Sequence, residues 1–352
     1  MELPSYFLDF LFNIRLTSEQ VDNLKEGHKN LCELLEKDKE LSNIIETTFL
    51  QGSYRRSTIT KPKGNENPDV DVIVVTNLDK DTCPPIDALE MFIPFLEENY
   101  DDYRVQGRSL GISLDNVDLD LVVTAAPSKS EESLIKKMVL LSDLSIEDML
   151  NKSPDTTINL AFQETFSKKQ DAVEWTMEPL YIPDREADKW EPTHPLEQIR
   201  WTTEKNKNTN SHYVNVVKAL KWWKKENHPD AENPKSYPFE HFIGDCCPNG
   251  IESVAEGITR TLEKMVDFEN KPILHDRGVP EHDVFERITN EEYEIFHSQV
   301  SEAALIAKEA LDSTKIRDSV LKWQELLGNE FPNPTTTERT EKTERVPRSR
   351  YA

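Results

Sequence analysis

At 352 residues and 40.7 kDa the chain is long enough to bury a large core, and its length fits two lobes sharing a cleft. Hydrophobic residues at 36% and charged residues at 31% place it among globular proteins, and no apolar run reaches bilayer length, so no membrane span is expected. A net charge of −24 and a pI near 4.8 argue against long nucleic acids as partners, because their phosphates are neutralised by lysine and arginine; a small nucleotide needs only a local basic pocket and divalent metals.

The apolar patch at 6–11 lacks a basic leader and carries Asp9, so it does not have the form of a secretory signal. Cys32, Cys83, Cys246 and Cys247 are sparse, which fits a reducing cytoplasm and free thiols better than a disulfide scaffold. The spacing then predicts a long amphipathic helix over 17–38, opened by a Thr17/Gln20 capping box and striped by Val21, Leu24, Leu31, Leu34 and Leu35. A strand over 46–50 ends in the turn Gln51-Gly52-Ser53. After a loop at 61–68 comes the clearest strand, 69–75, β-branched and headed by two acids. A helix over 87–99, extended runs at 103–107 and 109–114, and an acidic strand at 117–123 complete an α plus β half.

Residues 134–166 have a helical pattern, and 181–195, with its prolines and Trp190, has the composition of a connector. Beyond it the pattern is helical: 211–227, 238–246, 251–267, 290–313 and 317–327. The first of these carries lysines at 218, 221, 224 and 225 beside its apolar stripe. From 331 the composition shifts to Pro, Thr, Glu and Arg, that of a flexible tail.

The chemistry concentrates in a few residues. Asp69 and Asp71 are one residue apart on a strand, so period-two alternation projects both carboxylates from one face. Two hard oxygen ligands at a strand edge suit magnesium carrying a nucleotide, and a third carboxylate on a neighbouring strand completes a two-metal site. The strand 117–123 offers Asp118 and Asp120, which share a face; Asp120, nearer the apolar end, is preferred, and parity leaves the choice open. Upstream, Gly52 permits close backbone approach and Ser53 can donate to phosphate, with Arg55, Arg56, Lys61 and Lys63 forming one of the few basic clusters. The bland alternatives are acids that solvate a strand end and a basic loop that is merely solvated. His241, Cys246 and Cys247 lack a fourth ligand at zinc spacing and suit a packed helix, and Trp175, Trp190, Trp222 and Trp223 are large enough to fill a junction between lobes.

Gly52-Ser53, Asp69-Val70-Asp71-Val72 and Asp120, in that order, resemble the signature of polymerase-β-type nucleotidyltransferases, and within them the bacterial CD-NTases, relatives of cyclic GMP-AMP synthase and oligoadenylate synthetase. The long helix before Gly52, the stretch 182–195, Lys221-Trp222-Trp223 and Lys235-Ser236-Tyr237 extend the resemblance over roughly 5–325. It departs from the family after the third acid, where relatives often carry proline and this chain has Val122-Val123-Thr124.

The resemblance implies an α+β fold: a polymerase-β-like nucleotidyltransferase core with a mixed sheet plus a helical C-terminal lobe. The expected division is a core at 1–195, a helical nucleotide-binding lobe at 196–330 and a tail at 331–352. Two magnesium ions, replaceable by manganese, are expected on Asp69, Asp71 and Asp120, and nucleotide contacts from Gln51, Gly52, Ser53, Arg56, Lys221, Ser236 and Tyr237. The implied activity is a cyclic di- or trinucleotide second messenger made from nucleoside triphosphates in antiphage defence (CBASS). Implied partners are accessory proteins of the conjugating or HORMA type and a downstream effector that reads the product, with the tail ending Arg350-Tyr351-Ala352 as a conjugation substrate. The competing readings are a linear transferase acting on tRNA or protein, which the acidic surface disfavours for tRNA, and a non-catalytic nucleotide-binding regulator.

Overall fold

The computed structural model describes residues 1–64, 66–126 and 179–334. The expected helix at 134–166, Trp175, and the tail from 335 with Arg350, Tyr351 and Ala352 lie outside the described residues.

The β-branched runs build a mixed sheet. Strands β1 (Ile45–Gln51), β2 (Asp69–Thr76), β3 (Tyr103–Val105), β4 (Leu110–Ser113) and β5 (Asp118–Ala125) lie in the order β1-β2-β5-β4-β3, with β2 antiparallel to β1 and parallel to β5. Alternation sorts their side chains onto two faces. Val70, Val72 and Val74 pack with Leu119, Leu121 and Val123 beneath Leu24, Leu31 and Leu35 of α2 (Ser18–Lys37). Ile73, Val75 and Val122 serve the opposite face. Asp69 and Asp71 share the parity of Ile73, as Asp118 and Asp120 share that of Val122, so all four acids lie on the side away from α2. The capping box that opens α2 is present, Thr17 and Gln20 each accepting from the other's backbone N–H.

Two expectations are corrected. The single helix over 87–99 is broken into α4 (Pro85–Glu90) and α5 (Ile93–Asn99), because Pro94 has no N–H to continue a ladder and its fixed φ suits a first turn. The connector over 181–195 is instead a hairpin of β6 (Leu180–Asp184) and β7 (Lys189–Thr193), followed at once by α6 (Pro195–Asn208). Prolines 183 and 192 suggested irregular chain. The hairpin joins the sheet only at Ala125 and Tyr181, and such an edge position tolerates prolines that a central strand would reject. Leu196 and Ile199 of α6 cover Ile73 and Val75.

The helical lobe consists of α7 (Tyr213–Asn227), α8 (Ser236–Cys246), α9 (Val254–Val266), α10 (Asn290–Asp312) and α11 (Ile316–Leu327). Its core holds Trp222, Phe239, Phe242 and Trp323, and Trp223 is buried there too. The apolar patch at 6–11 belongs to α1 (Pro4–Asn13), whose Tyr6, Phe7 and Phe10 are buried in this same core; the Phe7 and Trp323 rings meet edge-on at 5.0 Å. Burial of each such ring stabilises the packing by roughly 1.5–3 kcal/mol, which ties the start of the chain to helices near its end. Cys246 and Cys247 are buried free thiols. Among the described residues no helix is long and apolar enough to cross a membrane.

Candidate active site

Strand register sets the acids. Asp69 pairs with Asp118 and Asp71 with Asp120 across the parallel β2–β5 ladder, while Gln51 on β1 pairs with Asp71 from the other side. Neighbouring strands run about 4.8 Å apart, so Asp71 lies between Gln51 and Asp120. Burial raises the Asp71 carboxyl, and the negative charges of Asp69 and Asp120 raise it further, to about 7, despite the opposing pull of Arg56 and Lys221. The Asp120 carboxyl is likewise raised, by burial and by Asp69.

Asp118 and Asp120 are held differently. The Gln106 side-chain amide donates to Asp120 Oδ1 at 3.0 Å, whereas Asn67 reaches Asp118 at 3.4 Å from the loop before β2. Asp69 and Asp120 both raise Asp71, while Asp69 and Asp118 both raise Asp120. Asp120 is the acid in register with Asp71. Among the described residues no three acidic, histidine or cysteine side chains form a closed cation cage. The donor set still fits a cation, because like charges crowded in a half-buried place are what a divalent ion would relieve.

β1 ends against the acids in α3 (Gly52–Arg55). Gly52 has φ 74°, a left-handed conformation, and a Cβ built there would lie 1.6 Å from Asp71 Oδ2. Glycine is therefore required twice over, by dihedral and by the carboxylate pressed on its backbone.

A cleft of about 410 Å³ opens beside these groups, between the sheet and the helical lobe. Its lining includes Asp69 and Asp71 and every expected nucleotide contact: Gln51, Gly52, Ser53, Arg56, Lys221, Ser236 and Tyr237. Asp120 is not on the lining; it flanks Asp71 one strand away.

Three cations of the basic cluster after Ser53 pair with carboxylates. Arg56 Nε donates to Glu240 Oε1 of α8 at 2.7 Å, and Thr58 donates to Glu240 Oε2 at 2.8 Å. Lys61 pairs with Glu330 at 2.7 Å and Lys63 with Glu226. In so acidic a chain these cations find carboxylates on the helical lobe and stitch the lobes together. Lys221 is also engaged, donating to the Thr58 carbonyl at 3.2 Å, and burial lowers its pKa. Arg108 pairs with Asp184 at 2.7 Å and His282 with Glu191 at 3.2 Å. That leaves Lys225, one turn beyond Lys221 on α7, as the cleft-lining cation with no partner among the described residues.

Burial alone would raise the Glu240 carboxyl, yet Arg56 and Lys221 beside it, with hydrogen bonds from Arg56 and Thr58, hold it below its ordinary value. Sequence reasoning missed Glu240, Gln198, Lys225, Asp276 and His282 on the lining. The lysine spacing on α7 could have indicated Lys225, four residues from Lys221, but Asp276 and His282 come from a loop without periodicity.

Residues 1–135 match the family model described as Second Messenger Oligonucleotide or Dinucleotide Synthetase domain. A cyclic AMP-AMP-GMP synthase from Enterobacter hormaechei subsp. hoffmannii is 42% identical, over 95% of this chain and 93% of its own. The chain belongs to the bacterial CD-NTases. It is an enzyme, a nucleotidyltransferase of the cyclic oligonucleotide synthase class that takes nucleotides as substrates. Another CD-NTase, the cyclic AMP-AMP-AMP synthase of an Acinetobacter species, is 27% identical over 94% of this chain and 86% of its own. In fold, E. coli CdnC solved with ATP superposes with a TM-score of 0.66 at 16% identity, covering 95% of this chain and all of CdnC, which has also been solved in complex with a HORMA protein. Vibrio cholerae DncV, solved with ATP, GTP and 5MTHFGLU2, gives 0.63 at 13%, covering 91% and 93%. CD-NTases use divalent metal ions, in keeping with the acids described above.

Proposed function

We propose that this CD-NTase joins nucleoside triphosphates into a cyclic di- or trinucleotide, releasing pyrophosphate, and that the product is a second messenger in bacterial antiphage (CBASS) defence. The carrying observation is Asp71, set in register beside Asp120, pressed against Gly52 and opening onto the cleft. The cyclic AMP-AMP-GMP synthase at 42% identity supports a trinucleotide built from adenine and guanine nucleotides. The HORMA complex of CdnC supports a regulatory partner of that kind, and a downstream effector would read the product.

Asp69, Asp71 and Asp120 are the residues that would hold two magnesium ions, or manganese in their place. When bound, such ions lower the pKa of the attacking ribose hydroxyl and offset charge on the transferring phosphoryl and leaving pyrophosphate. The protein's part is positioning and electrostatics. Gly52 lets the turn backbone approach the phosphates, Ser53 and Ser236 offer hydroxyl donors from opposite lobes, and Lys225 supplies the uncommitted positive charge. Arg56 and Lys221 act from behind this front, their charges balanced by Glu240. The ribose oxygen attacks the α-phosphorus as the bond to the bridging oxygen of the β-phosphate breaks, so one P–O bond replaces another.

The test is incubation of purified protein with ATP, GTP, CTP and UTP plus magnesium or manganese, with products identified by mass spectrometry. Asp69→Asn and Asp71→Asn are expected to abolish product while leaving the thermal unfolding midpoint in place. Turnover persisting in either variant refutes the assignment.

A further inference from the structure

One lateral row of the sheet crosses five strands on the face turned away from α2. Gln51, Asp71, Asp120, Gly111 and Arg104 are successive cross-strand partners on β1, β2, β5, β4 and β3, and residues directly opposite each other share a face. Gly111 is the member of this row without a side chain, so a notch opens beside Asp120. The side-chain amide of Gln106, just past the end of β3, occupies it: a Cβ on Gly111 would lie 2.6 Å from Gln106 Nε2 and 3.4 Å from Asp120 Oδ1.

That amide is held at both ends. Nε2 donates to Asp120 Oδ1 at 3.0 Å, while Oε1 accepts from the Ser109 hydroxyl at 3.1 Å. An ionised carboxylate only accepts, so the NH2 end must face Asp120, and Ser109 keeps it there. The turn carrying both residues is closed by the Gln106 backbone N–H, which donates to the Ser109 carbonyl at 2.9 Å. It is docked on the β6–β7 hairpin, where the Arg185 N–H donates to the Gly107 carbonyl at 3.0 Å and Arg108 donates to Asp184 at 2.7 Å. Asp184 is buried and accepts in turn from the Glu186 and Ala187 N–H groups. An anchored turn thus delivers one directional donor to one oxygen of Asp120. Among the described residues, neither Asp69 nor Asp71 is held by a side-chain donor in this way, and Asp120 Oδ2 has no hydrogen-bond partner.

We propose that Gln106 is a positioning residue for the third acid: oriented by Ser109 and admitted by Gly111, its amide ties down one oxygen of Asp120 and presets that carboxylate for the cation it helps to bind. The inference rests on the two-metal reading above, with Asp120 as a ligand, and adds what orients that ligand. A carboxylate already fixed by a hydrogen bond loses little rotamer freedom when a cation arrives, whereas an untethered one must be ordered at the moment of binding. Partners that orient a metal ligand in this way commonly carry a factor of about 10–100 in metal affinity. Both hydrogen bonds of the amide are open to solvent, so little of the fold's stability rests on them and cation binding can be separated from folding.

The test reads cation binding directly. Manganese is titrated into protein saturated with a non-hydrolysable ATP analogue and followed by electron paramagnetic resonance, for wild type, Gln106→Leu, Gly111→Ala, the double variant and Asp120→Asn. Gln106→Leu removes the donor. Gly111 has no positive φ, so alanine fits the strand backbone there and its methyl displaces the flexible end of Gln106. Each single variant is expected to weaken one of two manganese ions about tenfold or more and to leave the other within about twofold of wild type. The double variant should lose no more than either single one, since both break the same contact. The unfolding midpoint and the KM for ATP at saturating magnesium should stay at their wild-type values, while the magnesium concentration for half-maximal rate rises about tenfold. Unchanged manganese affinity in both variants overturns the proposal, and so does an equal loss at both ions with a lowered midpoint, the mark of a merely structural role. If Gly111→Ala does not fold, Gln106→Leu alone decides. Asp120→Asn separates this inference from the reading beneath it. If that variant binds both ions as wild type does, Asp120 is no ligand and both fall; if it loses an ion and the Gln106 and Gly111 variants do not, this inference alone fails.

Discussion

Replacing Glu240 with glutamine tests how the two lobes are joined. The carboxylate is 3% exposed and meets Arg56 at 2.7 Å and Thr58 at 2.8 Å, with Lys221 close enough to act on it electrostatically. Glutamine keeps the shape and one acceptor but leaves Arg56, 5% exposed, and Lys221, 7% exposed, without their counter-charge. Removing one partner of a buried pair costs about 3–5 kcal/mol, because the surviving charge stays desolvated. Urea denaturation at pH 7, followed by tryptophan fluorescence and circular dichroism, should show a lower midpoint with an unchanged slope. A second variant separates charge from packing: Arg56→Met with Glu240→Leu removes that pair but leaves buried Lys221 without its counter-charge, so it should recover part of the loss and not all of it. The pH dependence has a definite sign. Glu240 has a depressed folded pKa, so its contribution is present above the ordinary carboxyl range near 4.5 and is lost as pH falls through the lower folded value. The glutamine variant should therefore have a flatter acid limb. A loss below about 1 kcal/mol for Glu240→Gln would refute the reasoning, since that is the scale of a solvated surface pair.

Gly52→Ala should cost about 1–2 kcal/mol for the left-handed backbone alone, and product formation should fall about a hundredfold as Cβ displaces the Asp71 carboxylate; unfolding and product assays read the two effects separately. Metal binding to the nucleotide-free protein should strengthen as pH rises through about 7, because Asp71 must lose its proton to act as a ligand, and Asp71→Asn should remove that slope in a manganese titration. The same raised pKa means that, without metal, Asp71 favours the folded state below pH 3.8 and that advantage is lost as pH rises through about 7. Lys225→Ala should weaken both the ATP analogue and tripolyphosphate about tenfold, the scale of one hydrogen bond to a charged group, with little change in stability because Lys225 has no partner among the described residues to lose.

The cleft also explains how so acidic a protein can take polyanionic substrates. Most of its cations are matched locally by carboxylates, as Arg56 is by Glu240 and Arg108 by Asp184, so the cleft is close to balanced before substrate arrives. Asp69 and Asp71 on the lining, with Asp120 one strand behind, and one uncommitted lysine, Lys225, favour a ligand that brings its own divalent cation over a bare polyphosphate.

Much of this was legible in the residues. The β-branched run at 69–75 forms a strand in almost any context, and its period of two alone put Asp69 and Asp71 on one face. The capping box and leucine stripe marked α2, and Gly52 before an Asp-x-Asp strand marked the turn that packs on Asp71. These are local signals, carried by neighbours in the chain. The tertiary structure alone decided that Asp120 stands beside Asp71, that Arg56 faces Glu240 rather than solvent, that the prolines at 183 and 192 sit in an edge hairpin, and that Asp276 from an aperiodic loop grips Tyr237. The reason is physical: alternation and capping act between residues a few positions apart, whereas strand register and the pairing of a buried charge depend on groups brought together only when the sheet and the helical lobe close on each other.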